Sequence, residues 1–329
     1  MIFGSCISAA FGVSTNYVDC TMDDYTGHDG TSWAKAFKTI QEGVNAAALD
    51  DVVLVAPGYY DEGGATAGSG DNYLTNRVYI NKRITVRSRD GRASRDKTFI
   101  VGRHASVPQD PQGMGMGMDA IRCVRFQFTD ATHGAVVEGF TLINGATRWY
   151  NNSGEAGGYD RCTVGGGADF GVLTTGPSTA SYLVDCVISN CVATRGGGMY
   201  FGNAVRCRFT GNYARMNSPA VRDGNMYYCI SDGNFGASSP IYLGGANAIN
   251  CTIVNEPEQT TVRGNADNTP CVGANCVVLQ HRTVSGNNRD GICISLSNCV
   301  IAANAVYYNH AAAVGTTETN TCKLVDMNS

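Results

Sequence analysis

Short apolar runs recur through the second half of the chain, and most close on a polar residue suited to a turn. They are LVDCVISN (183–190), AVRCRFTGN (204–212), MYYCISDGN (226–234), AINCTIVN (248–255), ANCVVLQ (274–280) and LSNCVIAAN (296–304). Their cysteines, Cys186, Cys207, Cys229, Cys251, Cys276 and Cys299, follow one another at intervals of 21, 22, 22, 25 and 23 residues. A period of that length marks a solenoid, whose repeats bury their apolar faces only against neighbouring repeats. Side chains alternate along a strand, so each cysteine is expected to share the inner face with the residues two positions away. The expected inner sets are Val184-Cys186-Ile188, Val205-Cys207-Phe209, Tyr227-Cys229-Ser231, Ile249-Cys251-Ile253, Ala274-Cys276-Val278 and Ser297-Cys299-Ile301. The predicted architecture is all-β: a right-handed parallel β-helix over residues 17–329, one domain of roughly a dozen coils.

The first third reads differently. In WAKAFKTIQEGVNAAA (33–48), Trp33, Phe37, Ile40, Val44 and Ala47 fall on one helical stripe behind Ser32, an expected N-cap. This predicts a capping α-helix that plugs the open end of the solenoid, where core and strand edge would otherwise be exposed. Strand-like runs follow at DVVLVAPGYY (51–60) and RVYINKRITVRSRDG (77–91). Residues 1–16 read either as the remnant of an export signal or as an apolar lead-in. The closing TNTCKLVDMNS shows no amphipathic cap, which leaves a truncated end or a partner-covered one as the two readings.

Fourteen cysteines without any CxxC pair exclude a zinc ribbon. Free cysteine packs as a small hydrophobe, so the ladder reads as stacked interior thiols. Cys6, Cys20, Cys162, Cys191, Cys271, Cys293 and Cys322 lie off it and are the better disulfide candidates. GGGADF (165–170) and GGGMYF (196–201) supply corners, without the context of a phosphate-binding loop. A net charge of −4 argues against a nucleic-acid partner, and no stretch approaches the length of a transmembrane helix. Charge is uneven: residues 1–75 carry ten acids against two lysines, and residues 76–103 carry nine bases against two acids. Arg83, Arg87, Arg89, Arg92 and Arg95 of that basic run are read as outward residues and turns, some offsetting the acids before them.

The order GTSWAKAFKTIQEGVNAA, VVLVAPGYYDE, INKRITVRSRDG and VVEGFTLING (136–145) resembles secreted bacterial β-helix proteins of the pectate-lyase-like superfamily. The resemblance runs from residue 17 to 145, and the cysteine coils carry it to about residue 304. It implies a secreted or cell-surface protein that interacts with polysaccharide, most readily an acidic one. It does not fix activity, because the superfamily holds lyases, hydrolases, epimerases and non-catalytic surface proteins.

For a polysaccharide lyase the resemblance implies a Lys or Arg base, and calcium held by carboxylates. The outward neighbours of the ladder place Asp185, Arg206, Arg208 and Tyr228 on consecutive coils about 4.8 Å apart. Arg206 and Arg208 are therefore the candidate catalytic residues, and Asp185, Arg195 and Tyr228 the candidate substrate-binding ones. Arg195 and Asp169, beside the glycine corners, are expected near the same surface. Asp23, Asp24 and Asp29, in DDYTGHDG (23–30), are the candidate calcium ligands. Against a lyase, no lysine lies between Lys97 and Lys323, and arginine is a reluctant base. Paired carboxylates for a hydrolase are sparse, with only Asp185 and Asp232 beside the ladder. Five histidines stand singly, and no GxSxG elbow is present. Two readings follow: a protein that binds or cleaves acidic glycan, and a non-catalytic adhesin-type rod.

Overall fold

The computed structural model describes residues 12–67, 73–128, 133–149, 164–171, 180–236 and 247–254. It also describes strands at 241–242, 272–274, 277–280, 295–297, 300–303 and 323–325. Cys6, Cys162, Cys271, Cys276, Cys293, Cys299 and Cys322 lie outside these residues. One turn of the chain runs through Tyr182–Val184, Val187–Ser189, Val192–Arg195 and Met199–Tyr200. Asn203–Val205 then pairs in parallel with Tyr182–Val184 and begins the next turn. Repetition stacks these segments into two ten-stranded sheets (I and II), a seven-stranded sheet (III) and a small three-stranded sheet. The ladders of the described strands are parallel apart from Ala65–Ala67, an antiparallel edge on Leu74–Ile80. This is the predicted parallel β-helix.

The inner face departs from simple alternation. Asp185, Arg206, Tyr228 and Asn250 each adopt a left-handed conformation, at φ 51°, 53°, 56° and 55°. That turns the chain between sheets I and II and shifts the side-chain phase by one residue. The buried sets are therefore Leu183-Cys186-Ile188, Ala204-Cys207-Phe209, Met226-Cys229-Ser231 and Ala248-Cys251-Ile253. Val184, Val205, Tyr227 and Ile249, expected inside, lie at the half-buried surface. The thiols do occupy the interior. Cys207 Sγ, for example, donates to the carbonyls of Leu183 and Val205, both at 3.4 Å. Cysteine suits this corner because it is small and offers a weak donor to inward-facing carbonyls.

Cys20 and Cys191, two of the disulfide candidates, carry free thiols. Cys191 lies inside the helix in contact with Cys123. Asparagines complete the coils. Asn212 Oδ1 accepts from Cys191 N (3.0 Å), and Nδ2 donates to Ile188 O (2.9 Å) and Asn234 Oδ1 (2.9 Å). A second column joins Asn203, Asn225 and Asn247. The triple glycines are required sterically: a Cβ on Gly197 would stand 2.2 Å from the Tyr213 carbonyl on the next coil.

The capping helix is shorter than predicted. Trp33–Lys35 forms a 3-10 turn, Phe37 bridges Val18 as a strand would, and the α-helix spans Ile40–Ala46. Ser32 makes no side-chain cap; Thr39 does, in a capping box with Glu42. The helix packs on the strands of the first coils, and Gly43 permits this, since a Cβ there would meet Val18 and Val53 within 2.8 Å. Gln41 pairs with both backbone groups of Tyr79 (2.7 and 3.3 Å), covering polar groups of the first sheet III coil.

Candidate functional site

The corner between sheets I and II gathers most of the predicted residues. Asp185 is buried there, and the next coil places Arg206 over it. Arg206 Nε and Nη2 donate to the two carboxylate oxygens at 2.8 and 2.6 Å. Arg92 approaches the same carboxylate at 3.9 Å from the turn after sheet I. Arg208, on the outer face of sheet II, makes a matching fork on Asp232 at 3.2 and 2.6 Å. Tyr228 occupies the next corner after Arg206 and is 61% exposed.

Electrostatics define what these groups can do. The Arg206 fork holds the Asp185 carboxyl below its ordinary value, with burial opposing in part. Reciprocally, Asp185 raises Arg206, and Asp232 raises Arg208. A guanidinium held in its charged form is a poor proton acceptor and a good, pre-oriented donor.

Arg195 belongs elsewhere. It ends Val192–Arg195 and bridges Val164, next to sheet III. The register there aligns Arg125, Asp169, Tyr200 and Arg222 on consecutive coils. Asp169 is fully buried, paired with Arg125 and 3.6 Å from Arg122, and its Oδ1 accepts no hydrogen bond. Asp223, at φ 55°, receives Arg222 Nε at 3.1 Å, yet burial pushes its carboxyl up. Burial likewise raises Tyr200, with the nearby Asp223 adding to it. This concentration of buried charge marks sheet III as a second polar locus. Sequence reasoning flagged Arg195 and Asp169 but assigned them to the wrong surface. The missed signal was the register: Asp169 and Tyr200 each lie four residues after the first glycine of a GGG corner.

The predicted calcium ligands do not converge. Asp24 accepts from Thr26 N and Oγ1 (2.9 and 2.7 Å), and Asp29 accepts from Thr31 N and Oγ1 (3.1 and 2.6 Å). Each closes its own Asp-x-Thr turn, and Asp29 also meets Lys35 at 3.4 Å. Among the described residues no group of three or more His, Cys, Asp or Glu is placed to hold a metal. Asp23, Asp24 and Asp29 thus do not fit a calcium site.

Comparison with solved structures bears on the fold alone. A rhamnogalacturonan lyase superposes with a TM-score of 0.50 at 13% identity, covering 88% of this chain and 74% of that one. The shared fold is a parallel β-helix. Two pectin methylesterases also align with this β-helix. One, a mutant in complex with a hexasaccharide, has 15% identity and a TM-score of 0.47, covering 96% of this chain and 94% of that one. The other, from Aspergillus niger, has 13% identity and a TM-score of 0.37, covering 98% and 83%. No protein-family model and no curated protein matches the sequence. At these identities the likeness is one of fold. Among the described residues, no helix of this β-helix is long and apolar enough to cross a membrane.

Proposed function

We propose that the protein binds an acidic polysaccharide in a secreted or cell-surface setting, with the corner between sheets I and II as its recognition surface. The observation that carries this is the pair of bidentate forks, Arg206 on Asp185 and Arg208 on Asp232. Each fork fixes a guanidinium in place while leaving further N–H groups for a uronate carboxylate. Exposed Tyr228 offers an aromatic face beside them for a sugar ring. Because both arginines are held charged, their part in this proposal is recognition and not proton abstraction. The rod-like fold itself supports the binding role, since a long repeated face suits a repeated ligand.

A second reading, acid–base chemistry on the same class of glycan, is favoured by one observation. Asp223, just after the sheet III strand Val221–Arg222, carries a carboxyl that burial shifts upward, with Tyr200 and Arg195 nearby, and upward is the direction a general acid requires.

Affinity electrophoresis through gels containing pectate, alginate, a glycosaminoglycan or a neutral glucan tests the binding proposal. Retardation by at least one uronate polymer, and not by the glucan, is expected. Equal mobility in all gels overturns it. Ultraviolet absorbance of unsaturated uronate, on the same polymers with calcium and then with chelator, separates the readings. A rise assigns the chemistry of a lyase; a flat trace together with no gain in reducing ends supports binding alone.

A further inference from the structure

Two arginines away from the corner lie against aromatic rings instead of carboxylates. Arg215, on the strand Tyr213–Asn217, stacks over the Trp149 ring with Cζ 4.4 Å from its centroid. Arg148, the neighbour of Trp149, stacks over the Tyr73 ring at 5.2 Å. Arg148 also donates to the Tyr73 carbonyl and contacts Met118 Sδ. Neither Arg148 nor Arg215 meets an acidic side chain among the described residues, unlike Arg206 and Arg208. Trp149 is anchored below by the small apolar cluster of Leu74, Met116, Val192 and Tyr213. Tyr73 remains 39% exposed.

Two guanidiniums are thus held against aromatic rings; Arg215 keeps its N–H groups for a ligand, and Arg148 keeps those beyond its contacts with the Tyr73 carbonyl and Met118. A planar carboxylate fits those groups, and an exposed ring beside them suits the apolar face of a sugar. We propose that Tyr73, Arg148, Trp149 and Arg215 form a subsite for a uronate-containing oligosaccharide. The ligand class rests on the acidic-glycan reading above; the location is independent of it. A single-stranded nucleic acid also combines charge with rings, but the chain's net charge of −4 disfavours a polyanion of that density.

The chain has two tryptophans, Trp33 and Trp149, so Trp33→Phe leaves Trp149 as the sole indole reporter. Titration of that variant with tri-galacturonate is expected to change the Trp149 emission saturably, while maltotriose leaves it unchanged. Adding Arg215→Ala is expected to raise the half-saturating concentration by about tenfold or more, as loss of a charge-assisted contact does. Arg148→Gln provides the same test should Arg215→Ala fail to fold. An unchanged emission with tri-galacturonate overturns the subsite, even where uronate polymers bind the protein. An equal response to maltotriose, or a response only to single-stranded DNA, overturns it as well. A saturable Trp149 response in a protein whose Arg206 and Arg208 variants bind polymer normally would support the subsite and remove the corner from the proposed function.

Discussion

Asp185 and Arg206 are successive occupants of one corner, each in a left-handed conformation, and the later residue clasps the earlier with both ends of its guanidinium. The backbone geometry that turns sheet I into sheet II therefore also builds the ion pair. A structural corner and a candidate recognition group are the same few atoms.

Removing one partner is expected to cost more than the pair is worth. Arg206→Ala leaves Asp185, 7% exposed at its side chain, with Arg92 at 3.9 Å and the more distant Arg95. A loss of about 1–2 kcal/mol is expected, discounted because the Arg206 side chain is partly solvated. The double variant Arg206→Ala/Asp185→Asn should recover part of it. A urea series on the single and double variants measures the coupling, and strictly additive losses would show that the fork contributes nothing.

Two aspartates should respond to pH in opposite directions. Asp185 is depressed in the folded state, so its contribution is complete above about pH 4, the ordinary carboxylate value, and is lost as pH falls through the depressed one. Asp223 is raised, so the folded protein takes up its proton more readily than the unfolded chain does. Its ionisation therefore costs stability as pH rises from the ordinary value through the raised one. Relative to wild type, Asp223→Asn should gain stability between pH 4 and 7 and Asp185→Asn should lose it. Denaturation midpoints across that range read both signs at once.

The buried asparagine column is expected to be intolerant of truncation. Asn212→Ala strips its side-chain partner from Cys191 N and from Ile188 O, and leaves Asn234 Oδ1 only the Asn212 backbone N–H. Leaving such groups unpaired in the interior costs about 2–4 kcal/mol in all. A melting temperature within a degree of wild type would contradict this account of the coil ends.

The interior thiols should be chemically silent. Cys123, Cys186, Cys191, Cys207, Cys229 and Cys251 are buried, out of reach of reagent in the folded protein. Brief alkylation of the native protein followed by peptide mass mapping should label Cys20 and spare these six until denaturant is added. Rapid labelling of Cys207 in the native state would place the ladder outside the core.

Much of this was legible in the chain. The cysteine interval gave the coil length, and Thr39-Ile-Gln-Glu42 spelled a capping box that a longer helical stripe from Trp33 obscured. Tight turning was foreseen at glycine and asparagine but not at Asp185, Arg206 or Tyr228. Alternation carried across those corners consequently put Val184 and Val205 inside in place of Leu183 and Ala204. The partner of Arg208 was within reach, since Arg208 aligns with Ile230 and Asp232 stands two residues beyond it. The grouping of Tyr73, Arg148, Trp149 and Arg215 was not, because it joins segments of three different coils whose stacking no local pattern reports.

The central claim is that charged, carboxylate-braced arginines at the corner hold an acidic glycan. Its most direct measurement is calorimetric titration of wild type and of Arg206→Gln/Arg208→Gln with the polymer that retards the protein. The account predicts a drop in affinity of about tenfold or more, as expected when two charge-assisted contacts are lost, with circular dichroism unchanged. Equal affinity in a folded double variant would contradict it and move recognition off this corner.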